Sequence, residues 1–117
     1  MAESILKDKS YAFAIEIVKL SQVLVADSRE FVMSKQLVRS GTAIGALLRE
    51  AEFAQSKKDF VNKMSIALKE ANETVYWIDL LKDTGYINIV NHKTLVSSCK
   101  EIIAMLVSSI KTTKSRM

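Results

Sequence analysis

The sequence predicts an all-α protein, an up-and-down antiparallel four-helix bundle built as one domain over residues 1–117. The chain contains no proline and only three glycines, whereas strands and hairpins need turn residues about every ten positions. Apolar residues instead recur at spacings of three and four along four segments, which is the period of a helix face. The connections between these segments are short and favour antiparallel neighbours.

The first two helices are predicted at about residues 9–26 and 34–54. Alternating spacings of four and three define the core face of the first helix: Phe13, Ile17, Leu20 and Leu24. Ser34 is the predicted N-cap of the second helix, because serine oxygens accept bonds from first-turn N–H groups. Gly41 and Gly45 lie inside that helix, and each costs about 1 kcal/mol relative to alanine. We expect close approach by another helix to compensate for this cost.

The third helix, predicted at about residues 57–84, carries two apolar stripes. Ser56 and Asp59 form a capping-box-like start, and Gly85 supplies a left-handed C-terminal residue. The predicted core stripe consists of Val61, Met64, Leu68, Ala71, Val75 and Ile78. About 200° around the helix, a second stripe combines apolar and charged side chains: Lys63, Ile66, Glu70, Glu73, Trp77 and Leu80. An apolar patch centred on tryptophan is typical of an interface, although a single exposed tryptophan is also ordinary surface. We predict a homo-oligomer interface there.

A row of basic and small residues lies on one face of the second helix: Lys35, Arg39, Thr42, Ala46 and Arg49. One interpretation is a solvated basic face. In the other, Arg39 or Lys35 pairs with Glu70 or Glu73, within or between subunits, since an arginine fork suits a partly buried carboxylate. Arg39 is therefore included in the predicted interface, and both interpretations stay open.

The fourth helix is predicted at about residues 91–111, with Asn91 as its N-cap and a polar tail after it. Its apolar stripe is Leu95, Cys99, Ile102, Leu106 and Ile110. Cys99 is expected to be a small core residue, and His92 a surface residue. One histidine and one cysteine cannot form a zinc cluster. The sequence predicts no catalytic residue, metal site or cofactor, and no enzyme.

The location of the protein and the nature of its partners are weakly constrained by composition. A single cysteine cannot form an internal disulfide, which fits a reducing cytoplasm. No signal peptide or membrane span is expected, so we predict a cytoplasmic protein without a membrane partner. The formal charge is +4, with nine basic and seven acidic residues before Asp59 and eight and six from there on. This even distribution is weak evidence for a polyanionic partner.

Several motifs resemble those of one known family: QLVRS at 36–40, LREA at 48–51, SKKDF at 56–60, IALKE at 66–70 and GYI at 85–87. In order and spacing they are similar to the four-helix-bundle proteins related to those encoded in bacterial 23S rRNA intervening sequences. Another relative is the accessory variability determinant of diversity-generating retroelements, which binds a reverse transcriptase and nucleic acid. The resemblance implies a four-helix bundle that forms a homopentamer and associates with nucleic acid.

Two classes of function follow. The first is an accessory protein that binds RNA or DNA weakly and without sequence preference, through Lys57, Lys58, Lys111, Lys114 and Arg116. The alternative is an oligomeric protein-interaction scaffold, with a reverse transcriptase or another protein as partner and no nucleic acid. In that case these side chains are ordinary solubility lysines.

Overall fold

The computed structural model describes the backbone of residues 2–117 and the side chains of residues 4–117. It contains four helices and no strand in that part of the chain: α1 (Ala2–Ser28), α2 (Val32–Glu52), α3 (Lys57–Asp83) and α4 (Ile89–Ser115). Each helix packs against two neighbours, α2 and α4 on either side of both α1 and α3. The bundle is 48 Å long and about 20 Å across. The predicted all-α four-helix bundle is confirmed. None of the described helices is long and apolar enough to cross a membrane.

The first and last helices are longer than predicted. α1 begins at Ala2 and not near residue 9, because Leu6 continues its apolar face into the core. Ser10, which interrupts the apolar pattern, is fully buried and its hydroxyl donates to the Lys7 carbonyl at 2.9 Å. α4 extends to Ser115, so most of the expected polar tail is helical.

Two predicted N-caps are wrong. α2 begins at Val32, and Ser34 is buried within its first turn. The Glu30 carboxylate takes over the capping role, since it accepts bonds from Ser34 N at 2.8 Å and Val32 N at 3.4 Å. In α4 the cap is Asn88, whose side-chain oxygen accepts from Asn91 N at 2.8 Å. Asn91 is thus the donor and not the cap.

The predicted ends of α3 are confirmed. Ser56 Oγ accepts from Asp59 N at 3.0 Å, and the Asp59 carboxylate accepts in turn from Gln55 N at 3.1 Å. Gly85 has a φ of 86°, the left-handed conformation that glycine adopts without a Cβ penalty. These signals are local, so they depend little on how the helix packs.

The core face of α3 is rotated from the predicted stripe. Its buried residues are Met64, Ala67, Ala71, Thr74, Ile78 and Leu81. Three predicted members, Val61, Leu68 and Val75, are only half-buried and flank the core. Thr74 is accommodated because its Oγ1 lies 2.7 Å from the Glu70 carbonyl and 2.9 Å from Ser40 Oγ of α2. Small and hydroxyl-bearing side chains therefore occupy the centre of the contact face.

The two glycines inside α2 face α1. A Cβ added at Gly41 would lie 2.9 Å from Ile17 Cγ2, which is closer than carbon atoms approach without displacement. At Gly45 the nearest atom to such a Cβ is Ser10 Oγ, at 3.5 Å. The expected close helix approach is confirmed, and Gly41 is the position that requires it.

Candidate nucleic-acid interface

The five basic residues predicted to contact phosphate lie at one end of the bundle. Lys57 and Lys58 open α3, Lys111 and Lys114 belong to the last two turns of α4, and Arg116 is its C-cap. Lys57 Nζ donates to the Arg116 carbonyl at 3.1 Å, although the two residues are 59 positions apart. The structure thus joins two sequence clusters into one.

We define the basic end as residues 2–9, 49–63 and 108–117, which antiparallel packing brings together. It contains nine Lys and Arg residues against five Asp and Glu. The rest of the chain contains eight of each. The whole formal net charge of +4 is therefore located at this end, and the remaining length of the bundle is electrically balanced.

Part of this charge is neutralised by ion pairs. Lys7 Nζ lies 2.9 Å from Glu52, Lys63 Nζ lies 3.1 Å from Glu50, and Lys9 pairs with Glu101 of α4. In contrast, all five predicted contact residues are exposed, and none of them forms an ion pair with a side chain of residues 4–117: Lys57, Lys58, Lys111, Lys114 and Arg116. No carboxylate of residues 4–117 therefore competes with phosphate oxygens for these five side chains.

The predicted interface stripe on α3 is less exposed than expected. Trp77 packs half-buried against the core, and its Nε1 donates to Glu73 at 2.9 Å. Leu80 is also half-buried, and the stripe contacts α2 through Glu70 and Glu73, which bind Arg39. Ile66 is 37% exposed, and Tyr76, in edge-to-face contact with Trp77, is 57% exposed. The large apolar side chains that α3 exposes are therefore Ile66 and Tyr76, which lie ten positions apart, and the interface itself stays a prediction.

Arg39 connects α2 to α3 within one subunit. Its Nη1 lies 3.2 Å from Glu70, its Nη2 contacts Glu73, and its Nε donates to Gln36 at 3.1 Å. The sequence left open whether this pairing is made within or between subunits. The arginine side chain is 48% exposed and the Glu70 side chain 20%, so the network lies at the surface and only partly out of water.

A second apolar surface, on α1, was missed by the sequence analysis. The α1 stripe consists of Tyr11, Ile15, Val18 and Val25, which are between 36% and 57% exposed. The Arg49 guanidinium lies over the Tyr11 ring at 5.4 Å. Spacings of four, three and seven place these residues on one helix face, and this pattern was visible in the sequence beside the core stripe. The α1 stripe is a candidate contact surface.

Metal ligands and nucleophiles are the residue types to consider for catalysis in the described part of the chain. No group of three or more His, Cys, Asp or Glu residues in this part of the chain is placed to hold a metal ion. Cys99 is fully buried, and burial raises the pKa of its thiol to about 12. The nucleophilic thiolate is therefore absent at neutral pH. His92 Nε2 lies 2.7 Å from Asp79 Oδ1, a contact that joins α4 to α3.

Comparison with known proteins agrees with the resemblance noted from the sequence. The family model described as 23S rRNA-intervening sequence protein matches residues 2–108. A solved structure of a protein of unknown function from the S23 ribosomal protein family of Bacteroides thetaiotaomicron is 53% identical. The match covers 95% of this chain and 99% of that one, with a TM-score of 0.94. The comparison with curated proteins gave no match. The chain belongs to the family of 23S rRNA-intervening sequence proteins.

Proposed function

We propose that this protein is a non-enzymatic, oligomeric accessory protein of the cytoplasm that binds RNA or DNA weakly and without sequence preference. The observation that carries the proposal is the basic end, where the whole net charge of the chain is gathered. Lysine and arginine contacts to phosphates hold nucleic acid without reading its sequence. Lys57, Lys58, Lys111, Lys114 and Arg116 provide these contacts.

Oligomerisation makes such a weak site effective. A subunit with a net charge of +4 offers few phosphate contacts, but linked copies raise the effective concentration of each further contact. A homopentamer is the assembly that the family resemblance implies. Two sets of exposed apolar side chains support self-association: the α1 stripe, and Ile66 and Tyr76 of α3.

Charge reversal tests the nucleic-acid site. The test variant combines Lys57→Glu and Lys58→Glu; the control combines Lys93→Glu and Lys100→Glu, which are exposed residues of α4 outside the basic end. Both variants change the net charge by the same amount. Fluorescence anisotropy with a labelled RNA and a labelled DNA, between about 50 and 200 mM salt, should show weaker binding and a flatter salt dependence for the test variant only.

Two outcomes would count against the proposal. Equal losses in both variants would show that binding follows total charge and not the basic end. If the intact protein binds neither RNA nor DNA at low salt, the second candidate function takes its place: a protein-interaction scaffold, with a reverse transcriptase or another protein as partner. That candidate is favoured by the exposed α1 stripe.

The oligomer is tested separately by sedimentation velocity at tens of micromolar protein, a concentration range in which interfaces of standard size hold. Ile66→Glu places a charge in the predicted interface without removing a core side chain, because Ile66 is 37% exposed. It should dissociate the assembly while the helix content stays constant. Ser97→Glu, on the exposed side of α4, is the control. A wild-type species of 13.1 kDa under these conditions would refute self-association.

A further inference from the structure

We propose that the basic end binds single-stranded nucleic acid in preference to duplex, by taking one unstacked base into a cavity between the helix ends. This inference rests on the nucleic-acid binding proposed above and names the form of the ligand. It is carried by the position of the cavity, by the apolar floor of the cavity and by the charges at its rim.

The cavity has a volume of about 450 Å³ and is formed where α1 and α3 begin and α2 and α4 end. Its floor consists of the apolar side chains of Leu48, Ala51, Phe60 and Met64. The volume is in the range of clefts that hold small organic ligands, about 300 to 1,000 Å³. A planar base, with two apolar faces, matches such a floor.

Phe60 is the aromatic side chain of this floor, and it is half-buried. Proteins that bind single strands commonly stack bases on aromatic rings, and such stacking tolerates any sequence because every base has a π face. A ring at the floor of the cavity therefore suits a ligand that is bound without sequence preference.

The rim of the cavity is polar and basic. Lys7 and Lys57 line it together with the hydroxyl-bearing residues Ser4, Ser56 and Thr113. Glu52 also lines the cavity and is paired with Lys7 at 2.9 Å, so these two charges compensate each other. A nucleotide joins an apolar base to a phosphate, and here an apolar floor lies next to the Lys57 ammonium group, which can contact phosphate.

Duplex nucleic acid lacks access to this cavity. Its bases are stacked and paired, and a base must be unstacked and unpaired before it enters a protein pocket. Single strands already expose their bases, so a base can contact the floor while a neighbouring phosphate contacts the rim. Duplex is left with the phosphate contacts of the rim alone.

The test fills the cavity without changing any charge. Ala54 lines the cavity, so Ala54→Leu should occupy the space where the base enters. The matched control is Ala26→Leu, because Ala26 is exposed near the far end of α1. A third variant, Phe60→Leu, keeps an apolar side chain but removes the ring, and thermal melts verify that each variant folds.

The probes are labelled oligouridylate, oligothymidylate and a DNA duplex of equal length, each measured at the same series of salt concentrations between about 50 and 200 mM. Wild type and Ala26→Leu should bind at least one single strand about tenfold more tightly than duplex, the size of one base-stacking contact. Ala54→Leu and Phe60→Leu should lose this preference, while duplex affinity and salt dependence stay at the wild-type values.

The failure of this inference is distinguishable from the failure of the proposed function. Equal binding of single strands and duplex by wild type, or a preference that survives Ala54→Leu, overturns base insertion and leaves phosphate binding intact. Binding to none of the three probes overturns both.

Discussion

Gly41→Ala is expected to destabilise the bundle, although alanine is the better helix former. Alanine in a helix interior is favoured over glycine by about 1 kcal/mol. Against this, the new Cβ would lie 2.9, 3.0 and 3.3 Å from three atoms of Ile17, whereas carbon atoms prefer about 3.5 to 4.0 Å. Ile17 is fully buried and β-branched, so it has little freedom to turn away.

The two effects have opposite signs, and the steric one is larger. Overpacking a core costs about 1 to 3 kcal/mol, which leaves a net loss of about 1 kcal/mol for Gly41→Ala. Gly45→Ala is the matched variant on the same helix, and there the nearest atom is 3.5 Å away. That is ordinary contact, so Gly45→Ala should stabilise by about 0.5 to 1 kcal/mol. The two variants should differ by about 2 kcal/mol.

Urea denaturation followed by circular dichroism measures this difference, at one fixed protein concentration because the proposed self-association would couple stability to concentration. In thermal melts the two variants should differ by roughly 8 °C, at about 4 °C per kcal/mol. Ile17→Ala provides a second control, because it removes the two nearest crowding atoms, Cγ1 and Cγ2, and should make Gly41→Ala less costly. Equal stability of the two glycine variants would refute the argument that close helix approach constrains Gly41.

Three further predictions concern single contacts. Arg39→Ala should cost about 1 kcal/mol in urea melts, since the arginine is 48% exposed, and the loss should shrink at high salt; a loss independent of salt would contradict an ionic contribution. Asn88→Ala should cost about 1 kcal/mol, whereas Asn91→Ala, which keeps the bonding N–H, should be close to neutral. Because burial raises the pKa of Cys99 from 9.0 to about 12, the unfolded chain loses the thiol proton first. Unfolding free energy should therefore fall between those pH values relative to Cys99→Ala, and equal pH profiles would show that the thiol is accessible.

A helix end could be predicted from the sequence where its capping interaction lies within a few residues. Ser56 and Gly85 are correctly assigned because a cap acts on N–H groups within three residues, and a left-handed residue is needed wherever a helix stops in this way. Ser34 was misassigned because α2 begins two residues before it, where the Glu30 side chain accepts from the N–H group of Ser34 itself. The path of the chain entering α2 decides between them, and the sequence pattern does not contain that path.

The burial predicted for the core and interface stripes of α3 differs from the burial observed there for another reason. A helix in a bundle touches two neighbours, so several residue rows are at least half-buried, and periodicity alone does not tell which row is central. On α3 the central row includes Thr74, whose hydroxyl lies 2.9 Å from that of Ser40. For the same reason Trp77, on the flank towards α2, is half-buried and not exposed.

The sequence by itself determined the all-α class, the number of helices and the need for a close helix contact at the glycines of α2. The spacing of apolar residues, the scarcity of turn residues and helix propensity are properties of residues close together in the sequence. They can therefore be recognised without a structure. Only the tertiary structure decided which charges act together. Lys57 and Arg116 are 59 positions apart, and each half of the sequence carries a similar excess of positive charge. Antiparallel packing places the start of α3 beside the end of α4, and this turns an even distribution along the chain into one basic end.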